Sequence, residues 1–359
     1  MYCEDHHQVI IYLLDFFNQS RNNNSLISFH SHDHRIFVDE SSSSDHPSYS
    51  YLYILYEKLK DKMRKKHRIG FSTAFISKYS SPGFIDDLAY TDVKVSNHFN
   101  CLFVASESKC VYVSNLETRL IMFHFTLPEV NCLYVEEYEP GYGALDDSLF
   151  VSASSCIIKY SVSKLLKKGA DKERSSQDEE NLDVSDCEIW KITPTGCFYG
   201  MVSRYEKTNV NTKAERLLYV CDYHVIAGRI LVINSENGNI LKEISPPDFS
   251  PCGIDFDVYD NLVVSQNSTI IMILRKEANG DWKMRNELQF DASLVGLVCD
   301  RVNNRIIACS HSKNTVVVLD ENGNAIKTFK EIMDPYDLCL DYRTGDLIVA
   351  FQHKLVIFE

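Results

Sequence analysis

Residues 216–244 read "RLLYVCDYHVIAGRILVINSENGNILKEI", three apolar runs joined by two short polar connections. Each run reads as a strand. Asn237-Gly238, between the last two runs, supplies the positive φ angles of a tight two-residue hairpin turn. The words recur 85 residues on: "NSENGNILKEI" (234–244) is echoed by "LDENGNAIKTF" (319–329). One such hairpin is common. The same turn in the same context twice points to an internal repeat.

The run that precedes each turn fixes the register. Six segments match: "CLFVAS" (101–106), "SLFVSA" (148–153), "LLYVCD" (217–222), "NLVVSQ" (261–266), "RIIACS" (305–310) and "DLIVAF" (346–351). Their fifth position is always small (Ala105, Ser152, Cys221, Ser265, Cys309, Ala350), so something packs closely there in every copy. A second strand follows each segment and a shorter one precedes it, as in "CGIDFD" (252–257), "VGLVCD" (295–300) and "YDLCLD" (336–341). A fourth, such as "NILKEI" or "AIKTFKEI", follows the turns. Copies are spaced by 41 to 47 residues except for one gap of 69. Four strands at that period predict an all-β, six-bladed β-propeller over 67–359. In the long gap, 163–186 is rich in charge and serine and reads as a surface insertion, after which "CEIWKI" (187–192) resumes blade two. The chain stops after the third strand of its sixth unit, and an open sheet edge is a liability. The strand-like "IGFSTAFISK" (69–78) is expected to close the ring as the outer strand of blade six.

These units resemble NHL repeats. Asp222 stands in that family's capping-aspartate place and Arg229-Ile230 in its third strand; the other copies hold Ser106, Ala153, Gln266, Ser310 or Phe351 where the aspartate belongs. The resemblance covers about 75–359 and implies a ring whose loops bind a protein or peptide.

The first 66 residues are of another kind. "QVIIYLLDFFNQ" (8–19) and "YSYLYILYEKLKDKMRKK" (49–66) each carry an apolar helical stripe, and a third helix is one reading of 25–40, giving a small α-helical N-terminal extension. The segment resembles a divergent F-box, although the usual Leu-Pro opening is absent. That resemblance implies docking on the adaptor of a cullin-type ubiquitin ligase through Ile10, Ile11, Leu14 and Phe17. The same residues also suit an extension that packs on its own propeller.

Composition narrows the function. With 37 Lys and Arg against 50 Asp and Glu, a net charge of −13 argues against phosphate-binding nucleic-acid surfaces and anionic membranes. The 12 cysteines form no Cys-x-x-Cys pair, and several sit in apolar runs, as reduced thiols do. No apolar run reaches membrane-spanning length, so an intracellular, cytoplasmic location is expected, with the nucleus left open. Catalytic propellers hold a metal at equivalent positions of several blades. Here those loop positions are Ser106, Ser154, Asp222, Asn267, His311 and Gln352, a poor ligand set. Asp257, Asp300 and Asp341 recur before turns and suit backbone hydrogen bonding. No catalytic residue, metal or cofactor is therefore expected. The expected partner-binding residues are Tyr223, His224, Asn267, His311 and Gln352, on loops of one face. A metal-dependent hydrolase or lyase and an RNA-binding NHL propeller are the rival readings.

Overall fold

The computed structural model describes residues 29–32, 35–38, 71, 77–80 and 89–358, apart from 108, 139–145, 175–180, 207–213, 225–226 and 352–353. The chain divides into two compact units, Met1–Tyr53 and Ile54–Glu359.

In the first unit the described residues form an antiparallel hairpin, Phe29–His32 paired with Arg35–Val38. A third helix within 25–40 is thereby corrected. "FHSHDHRIFV" ends in a run of β-branched and aromatic residues, Ile36, Phe37 and Val38, that favours strands. The helices expected over 8–19 and 49–66, with Ile10, Ile11, Leu14 and Phe17, lie outside the described residues.

The second unit contains six four-stranded antiparallel sheets. Blade one runs through Tyr90–Ser96, Cys101–Ser106, Cys110–Asn115 and Ile121–Thr126. Blades two to five repeat that order over 130–192, 198–244, 251–289 and 297–329. Blade six takes Pro335–Asp341, Asp346–Phe351 and Lys354–Phe358, then completes its sheet with Ser77–Ser80 from upstream of blade one. Among the described residues the closing strand, Ser77–Ser80, overlaps the end of the stretch expected over 69–78. Phe71, inside that stretch, is instead a buried anchor in a cluster with Ile307, Phe329 and Phe358, its N–H donated to Asp300 Oδ2 at 3.0 Å.

Burial explains the repeated sequence. The second strands Cys101–Ser106 and Ser148–Ala153 are buried at every residue, because each sheet is sandwiched between two neighbours. Fourth strands such as Glu188–Ile192 and Ala325–Phe329 face solvent on one side and carry charge. Burying a large side chain completely stabilises by roughly 1.5–3 kcal/mol, so the inner strands dominate the stability. The small fifth position marks the approach of the next blade. Ser152 Oγ donates to the Phe198 carbonyl of blade three at 2.8 Å and accepts the Cys132 N–H at 3.1 Å. Ser265 Oγ makes the equivalent pair with the Val295 carbonyl and the Gly253 N–H.

A buried network joins blades two and three. Lys159 Nζ donates to Glu136 Oε1 and the Ser235 carbonyl, both at 2.9 Å, and Ser235 Oγ donates to Glu136 Oε2 at 2.6 Å. Burial pushes the Glu136 carboxyl up, but Arg216 and Lys159 outweigh it and hold the group below its ordinary range.

Two local expectations change. Within 163–186 the chain builds a helix, Val162–Arg174, that buries Val162 and Leu165 against the outer parts of blades one and two. Its apolar residues Val162, Leu165 and Leu166 share one face with Gly169, a stripe that the surrounding charge obscures. The twin Glu-Asn-Gly-Asn loops are wider than two-residue turns: only Gly238 (φ 77°) and Gly323 (φ 84°) are left-handed there, whereas a type I′ turn needs positive φ at the preceding asparagine too. Asn234 and Asp320 side chains accept main-chain N–H groups within those loops.

Candidate functional site: the channel mouth

The innermost strands of the six blades surround an axial opening. On the face that carries the loops after the second strands it widens into a concavity of about 640 Å³ lined from all six blades. Its inner ring is set by the residues opposite the small fifth positions. Ala105 pairs with Asp92, Ser152 with Cys132 and Ala350 with Asp337. Blades three, four and five place glycines in this layer, and each touches the following blade. A Cβ on Gly200 would lie 2.2 Å from the Cys252 carbonyl, one on Gly253 2.6 Å from Val295, and one on Gly296 2.6 Å from Tyr336. Only glycine permits that approach.

Acids of the innermost strands sew neighbouring blades together. Asp92 Oδ2 accepts the Leu133 N–H of blade two at 2.6 Å, and Asp255 Oδ2 accepts the Cys299 N–H of blade five at 2.7 Å. Lys94 Nζ donates to Asp92 Oδ1 at 2.6 Å and also binds Asp337, bridging blades one and six. Burial would lower the Lys94 ammonium, yet Asp337 and Asp92 hold it well above its ordinary range. Burial, then the Asp92 charge, pushes the Asp337 carboxyl up; Lys94 opposes both. Burial also pushes Asp255 up to about 6, against the stabilising N–H groups of Cys299 and Phe256.

Above this layer stands an aromatic rim. The Tyr199 and Tyr223 rings meet edge to face at 5.5 Å, and Asn267 Nδ2 donates to the Tyr223 hydroxyl at 3.0 Å. Tyr336 packs on the His311 ring at 5.1 Å. Glu107 and Glu129 add exposed carboxylates.

Of the five loop residues expected to contact a partner, the structure brings Tyr223 and Asn267 together on the wall of the mouth. His311 stands behind Tyr336, with its Nδ1 3.7 Å from Asp334 Oδ1. His224 turns into its own loop, where Nδ1 accepts the Ala227 N–H at 3.3 Å. Gln352 lies outside the described residues. Sequence reasoning missed Tyr199, Tyr336 and the Asp92–Lys94–Asp337 bridge because it searched the loops after the second strands. The signal lay in the first strands, where "YTDVKVS" and "PYDLCLD" insert polar residues between apolar ones. Asp257, Asp300 and Asp341 do bond their turns, accepting the N–H groups of Tyr259, Val302 and Arg343 respectively. Asp222 bonds the Cys197 N–H at 3.0 Å and Arg229 Nε at 2.8 Å, joining the two residues that carry the NHL resemblance.

Among the described residues no group of three or more His, Cys, Asp or Glu side chains is placed to hold a metal ion, and no helix is long and apolar enough to cross a membrane. No family model matches this sequence, and no curated protein does. Among solved structures the chain is similar to BBS1N in its crystal structure in complex with ARL6DN, soaked with lead. The two are 16% identical with a TM-score of 0.49, over 79% of this chain and 82% of that one.

Proposed function

We propose that this protein is a non-catalytic interaction scaffold whose propeller receives a protein or peptide partner at the channel mouth. The observation that carries this reading is the division of labour within the concavity. Its inner carboxylates are spent on neighbouring main-chain N–H groups and on Lys94, while its rim presents tyrosines, Asn267 and free acids. A hydrolytic site on the inner ring needs a carboxylate or histidine there that is available to a water or a metal. Here a lysine ammonium already occupies the space between Asp92 and Asp337. Tyrosines are enriched in the centres of protein-binding surfaces.

The finer reading is a substrate receptor of a cullin-type ubiquitin ligase, with 1–66 docking on the adaptor and the propeller holding the target. It is supported by the F-box-like residues of 8–19 and 49–66, and the hairpin at 29–38 fits a three-helix module poorly. Both parts are tested with a photo-crosslinking residue at Tyr223 and, as a control, at the exposed Met284 on an outer strand of blade four. Protein adducts confined to position 223 are expected; adducts at neither site, or equally at both, would overturn the mouth as the docking face. Purified adaptor should bind the full-length chain and not one beginning at residue 67. Equal binding, or none, removes the ligase role and leaves the scaffold.

A further inference from the structure

We propose that the mouth receives a cationic side chain, arginine or lysine, projecting from the partner protein. This deepens the scaffold reading and rests on it. The electrostatic balance of the concavity sets the sign. Among its described lining residues Lys94 is the one cation, and it is committed to Asp92 and Asp337. Asp92, Asp255, Asp337, Glu107 and Glu129 all line the same space. Glu107 and Glu129 are exposed and have no ion-pair partner among the described residues. The lining therefore holds an excess of negative charge after its lysine has been counted, and two of those charges face solvent.

Shape and chemistry point the same way. Tyr199, Tyr223 and Tyr336 supply aromatic faces around the opening, and a cation over a tyrosine ring is attracted by its quadrupole. The Tyr199–Tyr223 edge-to-face pair is further held by Asn267, so this part of the wall is set before any guest arrives. An anionic guest meets the reverse conditions. A phosphate entering here would approach Glu107, Glu129 and Asp255 with no free cation among the described lining residues to receive it, so nucleic acid is the less fitting occupant. The long flat guanidinium suits aromatic walls and acidic rims together better than a compact ammonium does.

The test is selection of a displayed random dodecapeptide library on immobilised full-length protein, followed by affinity measurements on synthetic copies of the enriched peptides. The expected result is a shared basic position. Replacing that residue by glutamine, or introducing Glu107→Gln with Glu129→Gln in the protein, should weaken binding about tenfold or more, and raising salt should weaken it as well. Both glutamates are exposed, so the double variant should keep the wild-type circular dichroism and melting curve. A variant that does not is replaced by Tyr199→Ala, read for the same loss. Peptides without a basic residue, sensitive to Tyr199→Ala but not to the double substitution, would overturn the cationic guest and leave the scaffold reading standing. Peptides indifferent to every mouth variant, or no enrichment at all, would overturn both. An oligouridine probe that binds, and binds more tightly to the double variant, would replace the cationic guest with a nucleic-acid backbone.

Discussion

Asp255 accepts two main-chain N–H groups, from Cys299 and Phe256, each at 2.7 Å, and its carboxyl is still pushed up to about 6 because burial outweighs them. A carboxyl raised in this way is easier to protonate in the folded protein than in the unfolded chain. Between the unfolded value, near 4, and about 6, the folded state holds more of the proton, so unfolding free energy falls as pH rises through that window. Other groups titrate there as well, and a difference measurement cancels them. Asp255→Asn removes the titration and keeps one acceptor oxygen for the two donors. Wild type should therefore be favoured most near pH 4, with its advantage over the asparagine variant shrinking by about 1–3 kcal/mol by pH 7.5. Urea unfolding of both proteins at the two pH values measures this, and parallel pH dependences would show that Asp255 titrates normally. The staple was illegible in the sequence for a physical reason. One carboxylate bonding the main chain of the next blade leaves no periodic trace, unlike a buried apolar face. Tyr199 and Tyr336 escaped notice similarly, since they reach the mouth from first strands of different blades and not from one recurring loop.

At the scale of the element, the helix Val162–Arg174 sets two rules against each other. Gly169 lies inside it, where alanine would gain about 1 kcal/mol of helix propensity. A Cβ there would sit 2.2 Å from Cδ1 of Phe123, a buried ring on the fourth strand of blade one. The overlap is with a ring packed on all sides rather than with the loose end of a flexible chain, so sterics win. Gly169→Ala should destabilise by about 1–3 kcal/mol despite its better propensity. Phe123→Leu, which vacates part of the same space, should recover much of that loss when combined with it, and thermal unfolding of the two single variants and the double variant reads the coupling. Additive effects would mean the helix is not seated on Phe123. The contrast with the strands shows what a sequence displays. Second strands sit between two sheets in every blade, so their continuous apolar runs and small fifth residues repeat six times and give the architecture away. The helix occurs once, and Val162, Leu165 and Leu166 are diluted by lysines, so the composition reads as a polar insertion and the i, i+3, i+4 spacing is masked. The glycine loops were legible as connections but not in their geometry, because an Asn-Gly pair serves narrow and wide hairpins alike.

For the whole molecule the decisive contact joins the two ends of the propeller sequence. Lys354–Phe358 pairs antiparallel with Ser77–Ser80, matching Val356 to Ser80, Ile357 to Tyr79 and Phe358 to Ser77. Without that strand, blade six would expose a buried apolar strand along an unpaired edge, the arrangement that promotes association between chains. Phe71 adds a second tie nearby, packing against Ile307, Phe329 and Phe358, its N–H on Asp300 and its carbonyl accepting Asn303 Nδ2 at 3.1 Å. A contact between residues some 280 positions apart forms late, since the chain-closure entropy must be met before the pairing returns anything. Closure should therefore govern stability as a whole rather than blade six alone: a ring that opens at one seam loses the flanking support of both neighbouring sheets. A chain beginning at residue 67 keeps both ties and should melt cooperatively. One beginning at residue 85 loses both, and should melt at least about 10 °C lower or elute as aggregates, a shift in keeping with losing a buried phenylalanine worth about 3–5 kcal/mol together with an outer strand. Phe71→Ala in the longer chain isolates the side chain from the strand and should fall between them. Circular dichroism melts with size-exclusion chromatography separate these cases. Superimposable melts for the chains starting at 67 and 85 would mean that blade six is stable with three strands, and that the N-terminal strand decorates the ring without locking it.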